Sequence, residues 1–122
     1  MGKRIFIVDD SAVMIMSLKQ ILDMEGFEVV SAKDGMEALE KIKEGLKPDL
    51  IITDVNMPRM GGLDFIKNVR PILKFVPILV LTTESDIEKR TEAKNMGATG
   101  WLVKPVGGED LLKVINQVLP GV

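Results

Sequence analysis

Four short apolar runs in this chain each stop at a reactive polar residue: Ile5-Phe6-Ile7-Val8 at Asp9-Asp10, Leu50-Ile51-Ile52-Thr53 at Asp54, Ile78-Leu79-Val80-Leu81 at Thr82-Thr83, and Trp101-Leu102-Val103 at Lys104-Pro105. The runs are rich in Val, Ile and Leu and do not alternate with polar residues, as expected of strands covered on both faces. Each is followed by a longer segment whose apolar residues recur at helical spacing. Alternation of this kind restricts the chain to a parallel sheet, because parallel neighbours need a crossover between them, usually a helix.

Helix and strand boundaries are marked along the chain. Ser11 is placed to cap a helix with apolar positions Ala12, Val13, Met16, Ile21 and Leu22, which Gly26 ends. A further strand is predicted at Phe27-Glu28-Val29-Val30. Asp34-Gly35 opens a helix carrying Met36, Ala38, Leu39 and Ile42 that closes at Gly45. Gly61-Gly62 precedes Leu63, Phe65, Ile66 and Val69 in a helix that Pro71 cuts short. Asp86 starts a helix with Ile87, Arg90, Ala93 and Met96, ended by Gly97, and Gly107-Gly108 leads into Leu111, Leu112, Ile115 and Val118 before Pro120. Five βα units with right-handed crossovers put helices on both faces of a five-stranded parallel sheet, a single doubly wound (βα)5 domain of the α/β class.

Length and composition fit that reading. The 122 residues, 46% hydrophobic and 28% charged, suit one compact domain over residues 1–122 and leave no room for a DNA-binding output module. A net charge of −2 with both signs interspersed argues against a nucleic-acid or membrane-surface partner. The absence of cysteine excludes disulfides and thiol chemistry and fits a reducing compartment. With neither a signal peptide nor a run long enough to span a bilayer, the expected location is the cytoplasm.

In an open α/β sheet the ligand site lies outside the carboxyl ends of the strands, where the strand order reverses. Asp9, Asp10 and Asp54 would meet there, and three crowded carboxylates call for a cation. Oxygen donors without His or Cys point to a hard ion, and the small number of carboxylates suits Mg²⁺, which keeps waters and shares a phosphoryl oxygen. Lys104 and the Thr82 hydroxyl arrive from two further strand ends to hold the remaining phosphoryl oxygens, which leaves Asp54 as a nucleophile able to form an acyl phosphate.

Val8-Asp9-Asp10, Asp54-Val55-Asn56-Met57-Pro58, Gly61-Gly62, Leu81-Thr82 and Lys104-Pro105 together resemble the response-regulator receiver domain, and within it the single-domain chemotaxis (CheY) type. The resemblance covers essentially the whole chain. It implies a flavodoxin-like sheet with strand order 2-1-3-4-5, Asp54 as phosphoacceptor, and Asp9 and Asp10 binding Mg²⁺ with Asp54 and the main-chain carbonyl of Asn56. It also implies Thr82 as the switch hydroxyl, Lys104 as the phosphoryl-binding cation, Trp101 as the aromatic that changes position on activation, and a cis peptide between Lys104 and Pro105. The side chains of Asn56 and Glu84 would flank the path of the water that hydrolyses the acyl phosphate and so tune dephosphorylation. The partners it implies are a sensor histidine kinase and a downstream protein, such as a flagellar motor switch, docking on the last two βα units of a monomer. Only self-phosphorylation and autodephosphorylation are expected, not catalysis on external substrates. Three positions depart from the usual pattern: Trp101 stands for the commoner Tyr or Phe, Thr83 for a small Ala, and Val106 for a Phe after Lys-Pro.

Each of these residues also has a plainer role available. Asp9 and Asp10 suit a helix cap, Asp54 a turn before Met57-Pro58, Thr82 a loop, Lys104 a solvated site before a turn proline, and Trp101 simple packing. Capping and turn needs do not, however, dictate which residue type ends each of four separate strands. Among functional readings, a phosphorelay module, a Mg²⁺-dependent aspartyl-phosphate phosphatase and an unphosphorylated binding module remain as alternatives. The phosphatase is disfavoured because Asn56 stands where such enzymes place a second acid.

Overall fold

The computed structural model describes residues 3–83 and 87–119. The five strands are β1 (Arg4–Val8), β2 (Glu28–Ala32), β3 (Leu50–Asp54), β4 (Ile78–Thr82) and β5 (Gly100–Val103). The helices between and after them are α1 (Ala12–Met24), α2 (Gly35–Lys43), α3 (Gly62–Val69), α4 (Ile87–Met96) and α5 (Gly108–Val118). All neighbouring strands pair in parallel, in the order β2-β1-β3-β4-β5. The helix start expected at Asp86 and the stop at Pro120 lie outside the described residues.

Successive strand residues point to opposite faces, so a run that is apolar throughout feeds two cores. Phe6, Val8, Ile51, Ile78 and Val80 meet Ala38, Ile42, Phe65, Ile66 and Ala93 of α2, α3 and α4 on one face. Ile5, Ile7, Ile52, Leu79 and Leu81 meet Leu18 and Leu22 of α1 and Leu111 and Ile115 of α5 on the other. Burying each such side chain stabilises the fold by roughly 1.5–3 kcal/mol, and β1, β3 and β4, covered on both sides, hold their register most firmly. β5 departs from the expected two-sided burial: at the sheet edge Trp101 stays 44% exposed and Val103 is half-buried.

Ser11 caps α1 as expected, its hydroxyl accepting from the Met14 amide at 3.2 Å. Of the five apolar positions predicted for α1, Ala12, Val13 and Met16 face water, Ile21 is half-buried and Leu22 is buried, while Leu18, not among them, is buried. The stripe through Ile15, Leu18 and Leu22 fixes the helix's rotation, and Val13 and Met16 fall off it. β2 runs two residues beyond the expected Val30, because Val8 of β1 pairs with Ala32.

The loops on the amino side of the sheet are fastened by Arg70. α3 ends before Pro71, which supplies no amide to continue it. The Arg70 guanidinium then donates to the carbonyls of Leu73 at 2.9 Å, Val76 at 2.8 Å and Gly97 at 2.6 Å. Gly97 stands at φ +113°, and a Cβ there would lie 3.0 Å from Arg70 Nε, so glycine both ends α4 and makes room for the guanidinium. Burial lowers the Arg70 pKa from its ordinary value, the cost of placing a cation among carbonyls.

Arg70→Met keeps the aliphatic stem but leaves those carbonyls without their donor. Urea unfolding should show a loss of about 2–4 kcal/mol with an unchanged m-value. A loss below about 0.5 kcal/mol would mean that water replaces the guanidinium without penalty.

Candidate functional site

The carboxyl ends of β1, β3, β4 and β5 form one edge, and the register decides which side chains share it. Val8 pairs with Thr53, Asp54 with Leu81, and Thr82 with Val103. The ladder runs past the strand ends through Asp9 N–H to Ala32 O at 3.0 Å and Lys104 N–H to Thr82 O at 2.7 Å. Asp9, Asp54, Thr82 and Lys104 thus leave the sheet from fixed backbone. The Lys104–Pro105 peptide is cis.

Asp9 is fully buried and does serve the α1 turn: its Oδ1 accepts from the Ser11 amide at 2.9 Å. That accounts for one oxygen only. Oδ2 accepts no hydrogen bond among the described residues and faces Lys104 Nζ at 3.9 Å. Asp54 ends β3 nearly buried, with Oδ1 accepting from the Val55 amide at 2.7 Å and Oδ2 lying 3.1 Å from Lys104 Nζ. Asp10 is exposed, and one oxygen from each of Asp9, Asp10 and Asp54 lies within 4.8 Å of the others.

This arrangement fits a hard divalent cation. One oxygen from each of the three carboxylates would be available to such an ion, which takes oxygen ligands from a small number of carboxylates and keeps waters besides. Burial pushes the Asp9 carboxyl above its ordinary pKa. The Ser11 amide opposes that rise, the charge of Asp54 adds to it, the Lys104 ammonium opposes it, and the charge of Asp10 adds again. A buried carboxylate with one orphan oxygen and two acidic neighbours is satisfied by a cation, and the oxygen-only donor set selects a hard one.

The loop after β3 depends on one close approach. Gly62 N–H donates to Val55 O at 2.8 Å, and a Cβ at position 62 would sit 2.0 Å from Asp54 O. Only glycine lets the start of α3 come so near the backbone that carries Asp54. Asn56 lies on this loop with its side chain exposed. Glu84 is outside the described residues. Of the departures from the usual pattern, Thr83 is exposed and Val106 packs half-buried against the α1/α5 core.

Thr82 ends β4 almost fully buried, its hydroxyl donating to Leu102 O at 3.5 Å and accepting from Arg90 Nε at 3.3 Å. The Arg90 guanidinium carbon in turn lies 5.7 Å from the centre of the Trp101 ring. Sequence reasoning treated Arg90 as an ordinary helix position and had no signal for either contact.

A second feature missed from the sequence braces the site from outside. Arg59 pairs with Asp34 through Nε–Oδ2 at 2.8 Å and a second contact to Oδ1 at 3.1 Å, while Asp34 Oδ1 also accepts from the Glu37 amide at the start of α2. Beside it, Gly35 N–H donates to Met60 O at 2.9 Å. Arg59 takes φ +64°, uncommon for a residue with a side chain, and the fork-to-fork pair holds it there. Asp34-Gly35 was legible as a helix start; its partner was not, because the contact spans 25 residues.

The response regulator receiver domain family model matches residues 5–116. The chain is 41% identical over 119 residues to the chemotaxis protein CheY of Thermotoga maritima, covering 97% of this chain and 98% of that one. It is 38% identical to response regulator MprA of Mycobacterium ulcerans, covering 98% of this chain but only 51% of MprA, so it spans about half of that relative. Among solved structures, chemotaxis response regulator CheY4 of Vibrio cholerae superposes with a TM-score of 0.90 at 47% identity, covering 98% of this chain and 100% of that one.

The Asp34–Arg59 brace predicts a pH signature. Hydrogen bonding from Arg59 is the main cause that holds the Asp34 carboxyl below its ordinary pKa. A depressed carboxylate pKa contributes stability above its unfolded value of about 3.9, which is lost as pH falls through the folded value. Arg59→Met should therefore reduce stability by an amount that is present in full near pH 7, modest because the guanidinium is more than half exposed, and that shrinks as pH falls through the folded Asp34 value, so that the midpoint of acid unfolding, followed by circular dichroism, moves to higher pH. An unchanged acid midpoint would remove the pair from the stability of these loops.

Proposed function

The chain belongs to the response regulator receiver domain family, and from that premise we propose that it is a Mg²⁺-dependent phosphorylatable switch whose phosphoacceptor is Asp54. The observation that carries this reading is the position of the Asp54 carboxylate: at the end of the central strand β3, clustered with Asp9 and Asp10, and 3.1 Å from Lys104 Nζ.

A partner sensor histidine kinase supplies the phosphoryl group, because this chain contains no His. Asp54 attacks the phosphorus; an O–P bond forms as the P–N bond of the donor phosphohistidine breaks, and the electron pair returns to the imidazole. Asp9, Asp10, Asp54 and the main-chain carbonyl of Asn56 would hold Mg²⁺, which when bound supplies positive charge against the phosphoryl oxygens. Lys104 pairs with a further oxygen, taking its ammonium from the carboxylate it already faces. Thr82 turns its hydroxyl to the phosphoryl group, and Trp101 responds. The last two βα units then present an altered face, a shift in a pre-existing equilibrium. Asn56, exposed on the loop after β3, would lie beside the path of the attacking water and tune the lifetime of the acyl phosphate.

The reading describes a switch rather than an enzyme on external substrates, since Asn56 gives no second acid two residues after the nucleophile. We attach to it a chemotactic output, a cytoplasmic monomer docking on a motor-switch protein, on the strength of the near full-length match to a CheY. The match to MprA supports the same switch serving a different regulatory output.

Incubation with Mg²⁺ and acetyl phosphate should add one phosphoryl group to the protein, which mass spectrometry of the trapped adduct places on Asp54. Asp54→Asn should abolish the adduct while the protein remains folded, because the amide is nearly isosteric but a far poorer nucleophile. Stable label at another residue of that variant, at wild-type yield, would sink the assignment.

Mg²⁺ should also raise the melting temperature of the unphosphorylated protein by mass action, by about 2.7 kcal/mol of stability at a hundredfold excess over its dissociation constant. Asp9→Ala and Asp10→Ala should each weaken this effect. Identical Mg²⁺ titrations in both variants and the wild type would remove the acid pair from the metal site.

A further inference from the structure

Thr82, Arg90 and Trp101 lie on β4, α4 and β5, and the first and last of them are the residues assigned to the switch. A hydroxyl has one proton to donate and lone pairs to accept with. In the unphosphorylated protein the Thr82 proton goes to Leu102 O at 3.5 Å, and a lone pair takes Arg90 Nε–H at 3.3 Å. Both partners belong to the β5 and α4 side. Arg90 then reaches Trp101, with its guanidinium carbon 5.7 Å from the ring centre. The groove beside the ring, about 370 Å³ in volume, is lined besides Arg90 by Lys94 and otherwise neutral side chains, so among the described residues no carboxylate of the groove draws Arg90 away.

We propose that Arg90 is a positioning residue that latches Thr82 in its resting orientation and couples that orientation to Trp101. The latch deepens the phosphoacceptor reading and rests on it for its consequence at Asp54. Its contacts have the strength that a releasable latch needs. Distances of 3.3 and 3.5 Å are long for bonds involving a hydroxyl, whereas a hydroxyl donating to an anionic phosphoryl oxygen makes a shorter, charge-assisted bond. Phosphorylation of Asp54 therefore outcompetes both restraints. When Thr82 turns away, Arg90 loses its acceptor and is free to leave the face of Trp101. Without Arg90, the resting state loses one of two restraints on Thr82, and the orientation that serves the phosphoryl group is populated more often.

A mutant cycle on the full chain tests this with acrylamide quenching of Trp101, first without Mg²⁺ or phosphodonor. Thr82→Ala should change quenching in the wild-type background and leave it unchanged in an Arg90→Met background, because the coupling passes through the guanidinium. Equal effects in both backgrounds, or none in the wild type, would overturn the proposal. Arg90→Met should then raise the initial rate of modification by acetyl phosphate with saturating Mg²⁺ about two- to fivefold, the change expected on losing one weak hydrogen bond. An unchanged or slower rate overturns the latch as well. Failure of the phosphoacceptor reading is told apart by mass spectrometry: label placed elsewhere than Asp54 refutes that reading, while the quenching cycle still decides whether Arg90 couples Thr82 to Trp101.

Discussion

Like charge gathered at the end of a buried sheet is the constraint on which the rest of this site depends. Carboxylate oxygens of Asp9, Asp10 and Asp54 lie within 4.8 Å of one another, and Asp9 is fully buried. Two unit charges about 4 Å apart repel by roughly 4 kcal/mol at the effective dielectric of a protein surface, an appreciable part of a small domain's stability. The chain offsets this with two backbone amides, from Ser11 and Val55, and with the Lys104 ammonium. One oxygen of Asp9 still accepts no hydrogen bond among the described residues and faces the ammonium only at 3.9 Å. The cluster is thus stable enough to fold around and unsatisfied enough to take a cation.

Such an arrangement persists only where the backbone cannot relax. β1 and β3 carry the acids, and both are held between two apolar layers. A shift of one residue in their register would send each side chain to the opposite core and scatter the carboxylates. Gly62 brings α3 against the carbonyl of Asp54, and the Arg59–Asp34 pair ties the loop after β3 to the start of α2. These contacts hold the acid side of the site rigid.

The opposite side is built differently. β5 is an edge strand, Trp101 on it is partly exposed, and the Thr82 hydroxyl is held by two long hydrogen bonds. Loosely held groups are the ones that a new phosphoryl charge can recruit, because the charge need only exceed weak competitors. The division of labour follows position in the sheet: central strands hold the acid cluster in place, and the edge carries the loosely held groups.

Pattern alone determined the βα alternation, the parallel sheet and the convergence of Asp9, Asp54, Thr82 and Lys104, because two-sided burial forces apolar runs and a run's last residue is fixed in position along the sheet. It also located the caps at Ser11 and Asp34, whose partners lie within three residues. It misjudged which apolar residues of α1 face the core, since Val13 and Met16 are as hydrophobic as their buried neighbours and only the packing of Leu18 and Leu22 sets the helix's rotation. Arg59 against Asp34, Arg70 among the carbonyls of two loops, and Arg90 between Thr82 and Trp101 were decided by tertiary structure. A long flexible cation carries no periodic signal, and its partner is chosen by which acceptor the folded chain brings within its reach.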